Sequence, residues 1–590
     1  MSAVAHDQLF LESSLWFGSE DRPLLGRLTT PIGDKTHGGV LLSPPIGRES
    51  RQARRALRSL AIYLALDGYV SLRYDHFGTG DSSGSMDDEF DRAWLEDVDQ
   101  GIAFVRSLGV ASVSAVGIRM GATIVGAAAS EFELGLSSFV MWDPCESGRS
   151  YLRELTALGA LRHDVNTNAL GTPTKMLEYS LSEEASERLN RFAREPASGP
   201  VAERTLIIVR DDRAVSSKFR DRWNVDGVEW ATNSEQGPML EAQLPETVPP
   251  TSTIAQIRTF VTASPPLPTS FSQHAGALEA IVPTGVNTIP VKESLVELGT
   301  DRMFGVVTQP MSGALGPLLV MVNGVGEDHV GPARLWVELS RRWAGQGLRC
   351  LRFDLRELGE SPWLPGQPDR PILDKTRAQD IGDAVRAIQS DASDSVLIGF
   401  CNGAQLALEV ALELRNRGVS AINPQLGTGV FLNVDRLDES DQESTRSFAQ
   451  RVEKRLERYQ WIDKILRPLS NRVLSSKLGG NLVFGALRLT SPCPPRIRSK
   501  LVKNGTETLL LLSSEDLSPL RNVPVLGSVL RRRLTSSEHF RIEIVPGLDH
   551  AFLSVVGRER AIAILDQHVV QMYGNANEPS DSSRTAVDDS

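Results

Sequence analysis

The sequence predicts an α/β protein built from two tandem domains, each a mostly parallel sheet with helices on both faces and a helical lid insertion. The chain has 590 residues, more than one hydrophobic core usually supports. Leu-Arg-Tyr-Asp at 72–75 returns as Leu-Arg-Phe-Asp at 351–354, an offset of 279 positions. In both halves strand-like and helix-like segments alternate, which is typical of a parallel sheet. The chain is therefore predicted to be an internal duplication.

The elements of the two halves follow one order. Each half opens with two β-like runs that predict a hairpin, at 8–16 and 24–30 and again at 291–298 and 304–309. Short apolar runs at 40–42 and 318–322 then predict buried parallel strands. Amphipathic helices are predicted next, at 55–67 and 334–345. The Leu-Arg-aromatic-Asp strand and another helix complete the first part of each half.

A five-residue motif of the form Gly-x-x-x-Gly follows in each half. It reads Gly-Ile-Arg-Met-Gly at 117–121 and Gly-Phe-Cys-Asn-Gly at 399–403, after an apolar run and before an alanine-rich, helix-like stretch. This context is the nucleophile elbow of an α/β-hydrolase. The central residue is Arg119 in the first half, which cannot attack a carbonyl, and Cys401 in the second, which can. The second half is therefore predicted to carry the chemistry.

The domain boundaries follow from the repeat and from composition. We expect a degenerate domain at 1–263, a linker at 264–290 that begins rich in Pro, Ser and Thr, a second domain at 291–574, and a disordered polar tail at 575–590. The lid of the second half is expected at 431–499. Its segment 451–474 has apolar residues at helical spacing among Lys and Arg, which favours a cap over the active site rather than a helix on a membrane surface.

A cysteine nucleophile needs a base, a group that orients the base, and donors for the oxyanion. Hydrolases of this fold carry nucleophile, acid and histidine in that chain order, with the last two on loops after late strands. The β-like runs at 508–512 and 541–545 lead to Asp516 and to His550, so we predict a Cys401, Asp516 and His550 triad. Asp516 is favoured over Glu515 and Asp549 because it lies deeper in its loop.

The oxyanion donors are predicted to be backbone N–H groups. Asn402 supplies one at the start of the helix after the elbow, and Gly324 or Val325, in the turn after the third strand, supplies the other. His329, close after this turn, could touch substrate, but we expect it to be exposed. Asp354 is expected to fix loop structure, and Cys350, inside a strand, to be inert.

The first half lacks the other triad residues as well. Arg213 stands where Asp516 does, and no histidine occurs between 201 and 270. These losses predict a pseudoenzyme domain. Arg119 then has two interpretations. The domain is retained for its surface, or the guanidinium at a helix N-terminus binds a carboxylate or phosphate.

Composition excludes several classes of protein. The net charge of −11 and pI near 5.5, without a basic stripe, argue against nucleic acid as a partner. No window has the apolar length of a membrane span, and residues 1–20 do not resemble a secretory signal. Four scattered cysteines argue against a disulfide framework and favour the cytoplasm. No metal or organic cofactor is implied.

Several motifs resemble two known families. Gly-Phe-Cys-Asn-Gly-Ala at 399–404, the turn region at 323–332, Leu-Leu-Ser-Ser-Glu-Asp-Leu at 511–517 and Pro-Gly-Leu-Asp-His at 546–550 resemble exosortase A system-associated hydrolase 1. The first half, with Pro44-Pro45, the Asp-x-x-Gly-x-Gly-Asp-Ser-x-Gly segment at 75–84 and arginine at the elbow, is similar to the companion hydrolase 2 family. The resemblance implies α/β-hydrolases of unsettled substrate that are found near surface-polysaccharide loci.

We therefore expect a hydrolase that cleaves an ester or thioester through an acyl-enzyme on Cys401, with a small or lipid-like acyl substrate. An acyltransferase using the same cysteine is the alternative within catalysis. A non-catalytic scaffold or binding protein with two relic elbows is the alternative from another class. The duplication also allows the halves to pack as an intramolecular pseudo-dimer.

Overall fold

The two halves of the chain each form a large sheet. The computed structural model describes residues 9–162, 175–176, 179–180, 182–193, 201–241, 247–273, 276–283, 289–314, 316–324, 326–363, 376–424, 495–513, 539–549, 552 and 555–574. Both sheets are mostly parallel and have helices on both faces, which confirms the predicted α/β class. No helix in these ranges has the length and apolar character needed to cross a membrane.

The first half contains twelve described strands and eight described helices. The strands are β1 (Phe10–Ser19), β2 (Arg22–Pro31), β3 (Lys35–Thr36), β4 (Gly38–Ser43), β5 (Tyr69–Tyr74), β6 (Val113–Ile118), β7 (Leu136–Trp142), β8 (Lys175–Met176), β9 (Tyr179–Ser180), β10 (Ala202–Arg210), β11 (Val228–Asn233) and β12 (Thr269–Ser270). The helices are α1 (Arg48–Leu66), α2 (Phe90–Ser107), α3 (Met120–Glu131), α4 (Gly148–Arg162), α5 (Glu183–Arg191), α6 (Ser217–Arg222), α7 (Gln236–Leu240) and α8 (Thr251–Thr262).

The second half repeats this succession in its described residues. Its strands are β13 (Glu279–Val282), β14 (Val291–Leu298), β15 (Met303–Pro310), β16 (Leu318–Val322), β17 (Arg349–Phe353), β18 (Ser395–Phe400), β19 (Gly418–Ile422), β20 (Glu507–Ser513) and β21 (Phe540–Val545). A short 3-10 helix (Pro332–Arg334) precedes α9 (Leu335–Gly345), and α10 (Thr376–Ile388), α11 (Asn402–Leu414), α12 (Pro495–Lys503) and α13 (Val555–Gly574) follow.

The two sheets share one topology. The order is β1-β2-β5-β4-β6-β7-β10-β11 in the first and β13-β14-β15-β17-β16-β18-β19-β20-β21 in the second. From β2 and β15 onward the two orders match strand for strand. The pairs on the hairpin side of β5 and β17 are antiparallel, and the others are parallel. Strand order and direction therefore agree between the two halves, as the predicted duplication requires.

Apolar sequence explains why the elbow strands lie in the middle of the sheets. Every residue of β16 and β18 is buried, as expected for parallel strands covered by helices on both faces. Residues of α9 and α13 pack on one face of the second sheet, and residues of α10, α11 and α12 pack on the other. The carboxyl ends of these central strands meet at one edge, where a doubly covered parallel sheet places its ligand site.

Helix α1 begins at Arg48, earlier than the predicted start at residue 55. Its first turns are polar, so an amphipathic pattern does not reveal them. Several of these polar residues, including Arg51, Arg54 and Arg58, contact the second half. The predicted linker also contributes structure, because β12 pairs with β3 and β13 pairs with β14. The domain boundaries stay a prediction.

Reciprocal ion pairs join the two halves. Arg73 donates to Glu360 at 2.8 Å, and Arg352 donates to Asp81. Arg352 lies 279 positions after Arg73, and Glu360 lies 279 positions after Asp81, so each pair is the other with the halves exchanged. Such reciprocity is the property of an interface with two-fold symmetry.

Candidate active site

Both halves make a sharp strand-to-helix turn at the predicted elbow. Cys401 joins β18 to α11 with φ 55° and ψ −119°, and Arg119 joins β6 to α3 with φ 53° and ψ −123°. A positive φ is uncommon for a residue other than glycine, and such strain gathers at functional sites. A nucleophile elbow has this strained turn, which exposes its central side chain at the edge of the sheet.

The two glycines of the second elbow are required by close approach of the backbone. A Cβ atom on Gly399 would lie 2.4 Å from the Gly403 oxygen, and one on Gly403 would lie 2.3 Å from the Asn323 oxygen. Neither position has room for a side chain. The same contact brings the turn after β16 directly against the start of α11.

Gly324 lies beside the cysteine. A Cβ atom built on Gly324 would be 3.2 Å from Cys401 Cβ and 3.2 Å from the Phe400 oxygen. Cys401 retains 9% exposure, and its own N–H donates to the Ile422 oxygen at 2.9 Å. Asn402 is the first residue of α11 and is buried. Two of the three predicted oxyanion residues therefore adjoin Cys401, and Val325 lies outside the described residues.

Asn423, which the sequence interpretation missed, joins three loops at this edge. It follows β19 with φ 44°, and its N–H donates to the Leu511 oxygen at 2.8 Å. Its side-chain Oδ1 accepts from the Ser513 N–H at 2.7 Å, and its Nδ2 donates to the Asp549 oxygen at 3.4 Å. A polar residue directly after an apolar strand was the available signal. Asp143 occupies the matching place in the first half, with φ 47°.

His550 and Asp516 lie outside the described residues, but Asp549, which precedes His550, and Phe552, two positions after it, are described. Asp549 contacts Asn423, as given above. Phe552 packs edge-on against Phe400, with ring centroids 5.6 Å apart. Phe400 immediately precedes Cys401, and Asn423 immediately follows Ile422, which accepts the Cys401 N–H. The described chain on both sides of residue 550 therefore contacts residues adjoining the elbow.

The expected exposure of His329 is wrong. The side chain is 1% exposed and lies between two carboxylates, with Nδ1 2.7 Å from Asp354 Oδ2 and Nε2 2.6 Å from Asp81 Oδ2. Burial alone would lower the pKa of His329, but Asp354 and Asp81 outweigh it and raise the pKa to about 9. Asp81 comes from the other half, so nearby sequence could not reveal this burial.

Asp354 and Cys350 behave as the sequence predicts. Asp354 accepts from the backbone N–H groups of His329 at 2.7 Å and Glu360 at 2.8 Å, so it fixes both adjoining loops. Cys350 is fully buried in β17, and burial raises the pKa of its thiol, which disfavours the reactive thiolate.

The elbow arginine of the first half is enclosed by acids. Arg119 Nε donates to Glu49 at 3.1 Å, Nη1 lies 3.5 Å from Asp143, and Nη2 binds Glu154. Burial raises the pKa of Glu49, and the charge of Arg119 opposes that rise. These carboxylates occupy the directions from which the guanidinium would bind an external anion. Anion binding at Arg119 stays a prediction.

Metal ligands do not gather in the described part of the chain. No three His, Cys, Asp or Glu side chains within those residues are arranged as a metal site would require.

Comparison with known proteins addresses the second half directly. A model of the alpha/beta hydrolase family matches residues 319–563, which include Cys401 and His550. No curated protein matches the chain.

Solved structures of several hydrolases resemble part of the chain. A predicted CIB-like hydrolase from Thermoplasma acidophilum is 15% identical, with a TM-score of 0.28, and covers 48% of this chain and 98% of its own. An esterase from Pyrococcus furiosus is 12% identical, with a TM-score of 0.26, and the match covers 48% of this chain and 90% of the esterase. A proline iminopeptidase from Mycobacterium smegmatis is 15% identical, with a TM-score of 0.29, and the match covers 48% of this chain and 100% of the iminopeptidase.

The strand order, the strained turn at Cys401 and the family match concern the same segment of the chain. The C-terminal half has an α/β-hydrolase fold and matches the alpha/beta hydrolase family over residues 319–563.

Proposed function

We propose that the second half hydrolyses an ester or thioester, with Cys401 as nucleophile, His550 as base and Asp516 as the acid that orients His550. The observation that carries the proposal is a cysteine on a strained strand-to-helix turn, at the N-terminus of the 13-residue helix α11 and with Gly324 against it. Helix N-termini favour thiolate, and adjoining backbone N–H groups stabilise an oxyanion.

The reaction has two acyl-transfer steps. His550 accepts the thiol proton as the Cys401 sulfur attacks the carbonyl carbon, and the oxyanion accepts hydrogen bonds from the N–H groups of Asn402 and of Gly324 or Val325. As the tetrahedral intermediate collapses, the leaving alcohol or thiol takes the proton from His550. Water then attacks the acyl-enzyme, gives a proton to His550, and the free acid leaves with the thiol restored.

Two contacts support His550 as the base. Asn423 contacts Asp549, the residue before His550. Phe552, two residues after His550, packs on Phe400. Asp516 is supported by position, because it follows β20, the strand next to β21. The resemblance to exosortase A system-associated hydrolases 1 and 2, and the location in the cytoplasm, form part of the same proposal.

An apolar environment makes acyl transfer the second candidate. Cys401 belongs to a hydrophobic cluster that includes Phe400, Trp336, Leu548 and Phe552. Excluding water from such a site would leave the acyl-enzyme to react with an alcohol or amine.

The first half is proposed as a pseudoenzyme that packs on the second as an intramolecular pseudo-dimer. A scaffold without any acyl chemistry is the remaining alternative.

A turnover assay with competing acceptors separates these candidates. The full chain is incubated with a panel of p-nitrophenyl esters and acyl thioesters, with and without added alcohols and amines, and products are identified by mass spectrometry. Hydrolysis predicts the free acid in all reactions, whereas transfer predicts acylated acceptor in excess over acid. If no panel member reacts, and Cys401 alkylates no faster than a denatured-chain cysteine, both catalytic candidates are contradicted in favour of a scaffold.

A further inference from the structure

We propose that the first half clamps the turn after β16 in the position that catalysis requires. Residues 323–324 and 326–334 are called the oxyanion turn here. The proposal rests on the proposed function, because it assumes that Gly324 or its neighbour in this turn donates to the oxyanion. It assigns a positioning role to Arg51 and Arg54 of the half that has lost its own nucleophile.

The oxyanion turn of the second half differs in conformation from the matching segment of the first half. Helices α1 and α9 end at Leu66 and Gly345, which are 279 positions apart, the offset that also separates Asp75 from Asp354. Helix α1 nevertheless begins at Arg48, whereas α9 begins only at Leu335. Residues 327–334 thus stand at the sequence positions of the first two turns of α1. There the second half has an irregular turn that ends in the short 3-10 helix, whereas the first half has α-helix.

This irregular turn binds the first half at four positions. Glu327 accepts from Arg51, Asp328 pairs with Arg54, and His329 binds Asp81 at 2.6 Å. Arg334 donates to three carbonyl groups of the 80–84 loop, at 2.8 Å to Gly80, 2.5 Å to Ser82 and 2.7 Å to Gly84. The contacts therefore lie at both ends of the segment 327–334.

The backbone of the turn is strained where it is held. Ala333 has φ 48° and Arg334 has φ 65°, two consecutive non-glycine residues in the left-handed region. Such conformations persist only where surrounding contacts impose them. At Arg334 those contacts include three carbonyl groups of the first half. The strained end of the turn is therefore fixed partly by the other half.

The clamp acts close to the reacting atoms. Gly324 is against Cys401, and Asn323 is fixed on the second half, since its Nδ2 donates to the Phe353 oxygen at 2.9 Å and its Oδ1 accepts from Trp336 at 2.8 Å. Glu327 and Asp328, which the first half binds, follow Gly324 by three and four positions in the sequence. An oxyanion donor works when it is preorganised, and a misplacement of about 1 Å costs up to about a hundredfold in rate.

Helix α1 offers a matched pair of double variants. Arg51→Gln with Arg54→Gln removes two cationic contacts to the turn. Arg55→Gln with Arg58→Gln removes two arginines of the same helix that also contact the second half, but at residues outside the oxyanion turn. Arg58 donates to the Gly359 and Ser361 carbonyls, and Arg55 stacks on Trp363. The second pair is the control for weakening the interface in general.

Two readouts test the clamp, one of which needs no turnover. In the Arg51/Arg54 pair we expect amide hydrogen exchange in 323–334 to accelerate about tenfold, kcat for an ester substrate to fall about tenfold, and KM to stay within about twofold. Alkylation of Cys401 by iodoacetamide, which forms no oxyanion, should be unchanged. Replacing the same residues with Lys should restore most of kcat, since each lysine keeps its charge. The control pair should leave exchange in the turn and kcat within about twofold.

The clamp is overturned if exchange in the turn is unchanged, if both pairs lose kcat equally, or if KM rises instead. A wild-type chain that turns over no ester contradicts the proposed function and with it the catalytic purpose of the clamp. Faster exchange confined to the Arg51/Arg54 pair would then still establish that the first half holds the turn, so the two failures are distinguishable.

Discussion

Asp81 of the first half binds His329 of the second at 2.6 Å, although 248 positions separate them along the chain. The imidazole is buried and meets a second carboxylate, Asp354, from its own half. The guanidinium of Arg352 binds the other oxygen of Asp81. This cluster contributes to the attachment of the two halves, and its stability should depend on pH.

His329→Gln should lower the free energy of unfolding relative to wild type at neutral pH, and should lower it less at alkaline pH. The folded-state pKa of about 9 lies above the ordinary 6.5, so the charged imidazole stabilises the fold fully below pH 6.5 and its contribution is lost as pH rises through 9. The shift of the His329 pKa corresponds to about 3 kcal/mol. Urea unfolding of wild type and variant at about pH 6 and about pH 10 checks it. Equal differences in unfolding free energy at both pH values would contradict the charged state.

Cys401→Ala should abolish turnover and leave the fold intact, because it removes only the sulfur of the nucleophile and keeps the Cβ atom in the hydrophobic cluster. Cys401→Ser should retain little activity, since a hydroxyl is a weaker nucleophile than a thiol and needs stronger base assistance. Steady-state rates, with circular dichroism as the control for folding, check both variants. Wild-type rates in the alanine variant would move the chemistry elsewhere.

Gly324→Ala should lower kcat by about tenfold, because the new methyl group would lie 3.2 Å from Cys401 Cβ and from the Phe400 oxygen. The turn or the cysteine must then shift, and oxyanion donors tolerate little displacement. Gly345→Ala is the control, since a methyl group there meets nothing within 4 Å. We measure kcat, KM and melting temperature for both. An unchanged kcat in Gly324→Ala would remove this turn from the proposed oxyanion site.

Arg119→Ala should destabilise the first half and leave the chemical step at Cys401 largely unchanged. Removing the guanidinium leaves Glu49, Asp143 and Glu154 without their common partner, and breaking a buried pair in this way costs about 3–5 kcal/mol. If Arg119 instead holds an anionic part of the substrate, KM rises with kcat little altered. A large fall in kcat at constant KM, in a variant that remains folded, would contradict both interpretations.

The repeat allowed much of the fold to be predicted. The strands at 291–298 and 318–322 have the predicted bounds, and the offset of 279 correctly matches β5 with β17. The strand at 318–322 is apolar and buried throughout, and the strand at 291–298 alternates buried with more exposed residues, so each pattern records its environment. The start of α1 was missed because its first residues are polar and contact the other half.

The candidate site also contains some residues that the sequence predicts and others that it does not. Cys401 and its glycines carry a local motif, and the structure gives them the strained geometry that the motif requires. Asn423 and the burial of His329 depend on contacts with distant residues, Asp549 and Asp81, which a local pattern does not contain. Asp516, His550, Val325, residues 431–494 of the predicted lid and the tail at 575–590 lie outside the described residues, so those predictions stand as made.

The proposed mechanism requires that Cys401 forms a covalent acyl-enzyme with His550 as its base. The most direct measurement is mass spectrometry of the full chain quenched during turnover of an acyl thioester, followed by proteolysis to locate the added mass. We expect an adduct on the peptide that contains Cys401, no adduct in Cys401→Ala, and a strongly reduced rate of adduct formation in His550→Ala. An adduct on another residue, or one that forms equally fast without His550, would contradict it.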